Sequence, residues 1–127
     1  MAENQVVLTR VRSYPSGTPG RVLCRARRHH FVVDEPSAFG GPGEALAAGE
    51  IFLAGVSACA TGLLQDLARE AELPLTWVDV MVEATLDMDA APVYEHVSVF
   101  HSVHLEFQLR GIDDKQAQPL VETFKKR

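Results

Sequence analysis

From Ile51 to Leu64 the chain carries no charged side chain, and every turn of a helix drawn through it shows Ala, Gly, Val, Ile, Leu or Phe on all sides. A helix with no polar stripe has no face to offer water, so it must be enclosed all round. The whole stretch Glu44–Glu72 reads as one long helix with Cys59 near its middle. A membrane span needs roughly 18 or more uninterrupted apolar residues, whereas Glu50 and the pair Gln65–Asp66 close this run early. The segment is therefore expected to be a core helix, and its polar or reactive tips are Ser57, Cys59 and Thr61. A chain of 127 residues makes one domain, 1–127. A few strands and one other helix can hardly wrap such a helix alone, so a second copy, in a homodimer, is expected to supply the rest of the cover.

The neighbouring segments alternate as strands do. Gln5–Arg12 reads as a strand stopped by the Ser/Pro/Gly cluster Ser13–Gly20. In the next strand Val22, Cys24 and Ala26 share one face, and Arg21, Leu23, Arg25 and Arg27 the other. Phe31–Asp34 makes a further strand, ended by Glu35-Pro36 and the turn residues Gly40-Gly41-Pro42-Gly43. Beyond the helix, Leu75–Leu86 puts Val78, Val80, Val82, Ala84 and Leu86 on one side. A polar link with Asp87, Asp89 and Pro92 leads to a second long strand, whose apolar side carries Val97, Val99, His101, Val103, Leu105, Phe107 and Leu109. Ala117, Leu120, Val121 and Phe124 recur at helical spacing near the C-terminus. Pro119 inside a helix would cost about 3 kcal/mol, so a turn at Asp113–Gln116 followed by a helix opening on Pro119 is expected. Runs of like elements favour an α+β fold over an alternating parallel sheet.

A net charge of −5 and a pI near 5.5 disfavour nucleic acid and anionic membrane as partners. Two cysteines are too few for a disulfide framework, and MAENQVVLTRVR lacks the apolar run of a secretory signal, so the cytoplasm is the expected location. The glycine-rich turn lacks the Lys-Ser/Thr of a phosphate loop. His29-His30 with Cys24 matches no structural zinc spacing, and His101 and His104 point to opposite faces of one strand, so no metal or cofactor is expected. Ser57 lacks the flanking sequence of a hydrolase nucleophile. Cys24 reads as a packing thiol among small apolar residues. Cys59 has two readings. It packs inertly in its apolar surround, or it is a nucleophile, which requires a thiolate and hence a nearby cation. The strand bearing Arg21, Arg25 and Arg27 supplies cations.

The string FVVDEP, a GG pair, and then GPGEALAAGEIFLAGVSAC resemble the signature of the OsmC/Ohr family, and the likeness runs on through the two long strands to GIDDKQAQPLVETFKKR. The resemblance implies an α+β OsmC-like fold, an antiparallel sheet with a long buried central helix in an intertwined homodimer. It also implies thiol-dependent reduction of organic hydroperoxides, with a small-molecule hydroperoxide and a thiol reductant as partners and no cofactor. By motif, the reactive cysteine falls on Cys59, the helix acid on Glu50 and the active-site arginine on Arg21, with Arg25 as the alternate. Glu50 and Cys59 are separated by about 180° and roughly 13 Å on a straight helix. They therefore meet only if the helix breaks near Gly49 or Gly55, if an arginine bridges them, or if they face each other across two subunits. The family's resolving cysteine follows the basic end of the last helix, and the 127 residues stop at Lys125-Lys126-Arg127, leaving Cys24 as the other thiol. The competing reading is a non-catalytic dimer that binds a small apolar ligand, with Cys59 as packing and Glu50 as a first-turn acid.

Overall fold

The structure, a computed structural model, describes residues 5–87 and 100–126. It is α+β and divides into two compact units, Met1–Ile51 and Phe52–Arg127. The first is a three-stranded antiparallel sheet in the order β1 (Arg12–Pro15), β2 (Arg21–Ala26), β3 (His29–Asp34). Strand β1 starts later than the residue pattern suggests. Its register pairs Arg12 with Arg25 and Pro15 with Val22, while Gln5–Val11 pairs with no strand among the described residues. The β2–β3 hairpin turns on Arg27 and Arg28, with Ala26 opposite His29 and Arg21 opposite Asp34. Arg27 sits at φ 54°, in the left-handed region that costs a side-chain-bearing residue about 1–2 kcal/mol.

After a single 3-10 turn, Ser37–Phe39, the glycine-rich segment folds back on Glu35, and Gly41 lies so close that a Cβ there would overlap the Glu35 carbonyl. Helix α1 spans Ala48–Glu70, shorter at its start than the expected Glu44. The reason lies in β3. The Asp34 carboxylate accepts the N–H groups of Glu44 and Ala45 (2.9 and 3.0 Å), and the Asp34 N–H donates to the Leu46 carbonyl. Residues 44–46 are thus tied to the strand end. Glu50 then caps the helix by accepting the Ala47 N–H at 2.9 Å, half of a capping box.

The second unit packs the C-terminal half of α1 against a hairpin of β4 (Trp77–Thr85) and β5 (Ser102–Arg110) and against α2 (Asp114–Lys125). Val78 lies opposite Leu109 and Val80 opposite Phe107, so one face of the ribbon is apolar, as the alternation predicts. That face joins Leu64, Leu67, Ala68 and Leu120 in one cluster. Phe124 packs edge-on to Phe107 with ring centroids 5.4 Å apart. The expected strand positions Val97 and Val99, and the link residues Asp89 and Pro92, lie outside the described residues.

One expectation fails here for an identifiable reason. Helix α2 does not open on Pro119; it starts at Asp114 and carries Pro119 inside. Asp113 accepts the Gln116 N–H at 2.8 Å, and Gln116 returns the bond to the Asp113 N–H at 3.1 Å. This reciprocal cap, together with burial of Leu120, outweighs the proline penalty. As expected of a helix that one chain can hardly wrap alone, α1 is only partly covered by the described residues: Ala60, Leu64, Leu67 and Ala68 are buried, while Phe52 is 62% exposed. In length and hydropathy α1 would also suit a membrane span, yet its buried side is a protein core.

Candidate active site

Strand alternation decides which groups meet in the first unit. Arg21 and Asp34 are direct cross-strand partners, so their side chains leave the same face. The guanidinium binds the carboxylate in parallel, Nε to Oδ1 and one Nη to Oδ2, both 2.8 Å. Such a fork-to-fork pair fixes orientation as well as distance. Asp34 is 1% exposed, and its Oδ2 also takes the two backbone N–H groups of residues 44 and 45. The Arg21 bond, followed by those two N–H groups and the arginine's charge, outweighs desolvation and holds the Asp34 carboxyl down at about 2. The same hydrogen bond raises Arg21. Glu44 adds a second, looser acid 3.8 Å from the guanidinium.

Arg25 emerges from the same face of β2 two positions on, and its Nε donates to the Arg27 carbonyl at 3.0 Å. Glu50 is in the first turn of α1, one carboxylate oxygen engaged by the Ala47 N–H. Helix α1 runs unbroken from Ala48 to Glu70, so no break at Gly49 or Gly55 brings Glu50 and Cys59 together. Both cysteines are free, Cys24 buried and Cys59 exposed. Cys59 is thus on the part of α1 that a single chain leaves open, the part for which a second copy is the expected cover. The other polar tips of the apolar run satisfy themselves: Ser57 donates to the Ala54 carbonyl and Thr61 to the Ser57 carbonyl.

His101 is not a core residue. It is exposed just before β5, and its Nδ1 accepts the Asp87 N–H at 3.1 Å. Among the described residues no group of three or more His, Cys, Asp or Glu side chains is arranged to hold a metal ion. The residue the sequence reading passed over is Asp34. A two-residue turn at Arg27-Arg28 sets a register that places position 34 against position 21, and that count was available from the sequence.

Residues 41–127 match the family model described as OsmC-like protein. No protein of curated function matches the chain in sequence. Its fold is similar to an organic hydroperoxide resistance protein from Elizabethkingia anophelis, with a TM-score of 0.75 at 18% identity over 96% of this chain and 84% of that one. A second similar structure is an organic hydroperoxide resistance protein from Vibrio cholerae with captopril bound in one of its active sites (TM-score 0.73, 22% identity, 95% of this chain and 79% of that one). A third, from Legionella pneumophila, is described as the organic hydroperoxide resistance protein OsmC (0.72, 21%, 95% and 84%). At these identities the likeness speaks to the fold.

Proposed function

Since the chain belongs to the OsmC-like protein family, we propose that it is a thiol-dependent organic hydroperoxide reductase acting as a homodimer in a reducing compartment. The observation that carries this reading is an exposed, unpaired thiol, Cys59, halfway along an otherwise apolar helix. Its thiolate attacks the terminal oxygen of the hydroperoxide, and the O–O bond breaks. Cys59 keeps the terminal oxygen as a sulfenic acid, and the departing alkoxide takes a proton from water to become the alcohol. One external thiol then condenses with the sulfenic acid, releasing water and forming a mixed disulfide, and a second thiol restores Cys59.

The cation proposed for the thiolate is Arg21, with Arg25 as the alternate on the same strand face. Supporting Arg21 is the clamp on Asp34, which holds the guanidinium in one orientation while, among the described residues, its other Nη group makes no hydrogen bond. Glu50 is the proposed second acid, one oxygen capping α1 and the other orienting an arginine. Assembly is supported by apolar surface that a single chain leaves open: Phe52 on α1, and Val6, Val7 and Leu8 at 95%, 82% and 72% exposure.

The deciding experiment is alkylation of Cys59 followed against pH. A midpoint well below the free-thiol value of about 8.5 is expected, and a midpoint at or above it rejects the catalytic reading in favour of a packing thiol. Light scattering separately tests assembly; a stable folded particle of about 14 kDa at micromolar concentration would exclude the dimer.

A further inference from the structure

Between Gln5 and Val33 the chain has six arginines, two histidines and no acid, although the whole protein carries a net charge of −5. Pairing in the sheet concentrates these cations. Arg12 lies directly opposite Arg25, and Arg25 directly opposite His30, so the three share one face and form a row across β1, β2 and β3. All three are exposed, and Arg27 and Arg28 extend the row at the hairpin tip. Arg21, on the same face beyond the Leu23–Val32 pair, is neutralised by Asp34. Among the described residues no carboxylate pairs with the row.

Two costs meet at this corner. Like charges directly opposite in a ladder repel, and Arg27 holds a left-handed conformation that Gly or Asn would adopt more cheaply. The second sustains the first: the Arg27 carbonyl accepts the Arg25 Nε, fixing the guanidinium in the row with its Nη groups free to bind. Strain and repulsion retained together at one place point to a ligand that relieves them.

We propose that the Arg12–Arg25–His30 row is a binding site for a small molecule carrying a diphosphate group. Two strand spacings give the row a span of about 10 Å, which suits two linked phosphates bridging adjacent guanidiniums. A long nucleic acid suits it poorly, because residues 52–127 carry twelve acids against six arginines and lysines. The site uses neither Cys59 nor Arg21; it shares only Arg25, the alternate cation of the peroxidase reading, so the Arg12→Gln variant tests the row without touching that reading.

Calorimetric titration of the full chain with pyrophosphate tests it, beside Arg12→Gln, Arg25→Gln and the double variant. Binding is expected to weaken about tenfold or more per arginine removed, the loss of one charge-assisted contact each. Without ligand, Arg12→Gln should melt higher than the parent, since repulsion is relieved; with saturating pyrophosphate the order should reverse. That inversion is a sign a merely structural arginine does not produce. Absence of binding to the parent chain overturns the proposal, as does equal affinity in the double variant. Orthophosphate binding as tightly as pyrophosphate overturns the two-phosphate span. A change of assembly state in the double variant with pyrophosphate affinity intact shows that the row meets another protein chain instead.

Discussion

Helix α1 ends in a Schellman motif, and the residue in its left-handed position is Glu72, at φ 55°. The Leu73 N–H donates to the Ala68 carbonyl at 2.9 Å and the Glu72 N–H to the Arg69 carbonyl at 3.1 Å, with Leu73 and Ala68 both in the core cluster. The motif is complete except for its residue type. A side chain in that conformation costs about 1–2 kcal/mol, and glycine removes this cost while losing about 0.5–1 kcal/mol through its freer unfolded chain. Removing a negative charge from the helix's negative end adds about 0.3 kcal/mol. Glu72→Gly should therefore stabilise by about 1 kcal/mol, a Tm increase of roughly 3–5 °C for a chain of this size. Glu72→Gln, which removes the charge and keeps the Cβ, should recover only the electrostatic part. Thermal melts of the three proteins at one concentration decide it. A glycine variant that melts no higher than the parent, or a glutamine variant that matches the glycine one, would refute the reasoning.

Other outcomes follow from the core, the clamp and the helices. Leu64 is 0% exposed at the centre of the second unit's cluster, so Leu64→Ala should cost about 2–5 kcal/mol by chemical denaturation. Asp34 has a folded-state pKa of about 2, below its unfolded value near 4, so its contribution is present above pH 4 and is lost as pH falls from about 4 to 2. Acid unfolding of Asp34→Asn should be correspondingly flatter across that window, and an unchanged pH profile would remove the clamp from the stability of the fold. Pro119→Ala supplies an N–H within reach of the Lys115 carbonyl and should stabilise by roughly 1–2 kcal/mol after the gain in unfolded-state freedom is subtracted, read as a higher denaturation midpoint. Gly41→Ala should destabilise the first unit through overlap with the Glu35 carbonyl, seen as faster amide exchange in residues 34–46.

Periodicity made β4, β5 and the faces of β2 readable, because alternation in a half-buried strand follows directly from which side meets the core. It could not place what depends on partners outside the segment. Gln5–Val11 has the composition of a strand and pairs with none among the described residues. Residues 44–46 have the composition of helix α1 and are held by Asp34 instead, through its carboxylate and its backbone N–H. Pro119 misled through a local penalty that a capping box opening six residues earlier, at Asp113, outweighs. At the site, Cys59 stood out as the thiol of an apolar run, and its exposure in one chain agrees with the reading that a single copy can hardly wrap the whole helix. Asp34 escaped notice because its importance lies in the residue across the ladder, visible only once the hairpin turn is counted.

The Arg21–Asp34 pair also bears on how the hairpin finds its alignment. Strands β2 and β3 are short, and their side chains alternate weakly between polar and apolar, so backbone bonding alone distinguishes poorly between the native pairing and its slipped relatives. A slip of one residue sends the two charges to opposite faces of the sheet. A slip of two sets Asp34 against Leu23, or Arg21 against Val32, and strands a carboxylate that the native pairing keeps 1% exposed. Each wrong alignment leaves an unpaired charge where the right one forms a fork of two 2.8 Å bonds. The pair thus acts as a tally between the strands, and its penalty on a misaligned hairpin falls due when residues 44–46 close over Asp34.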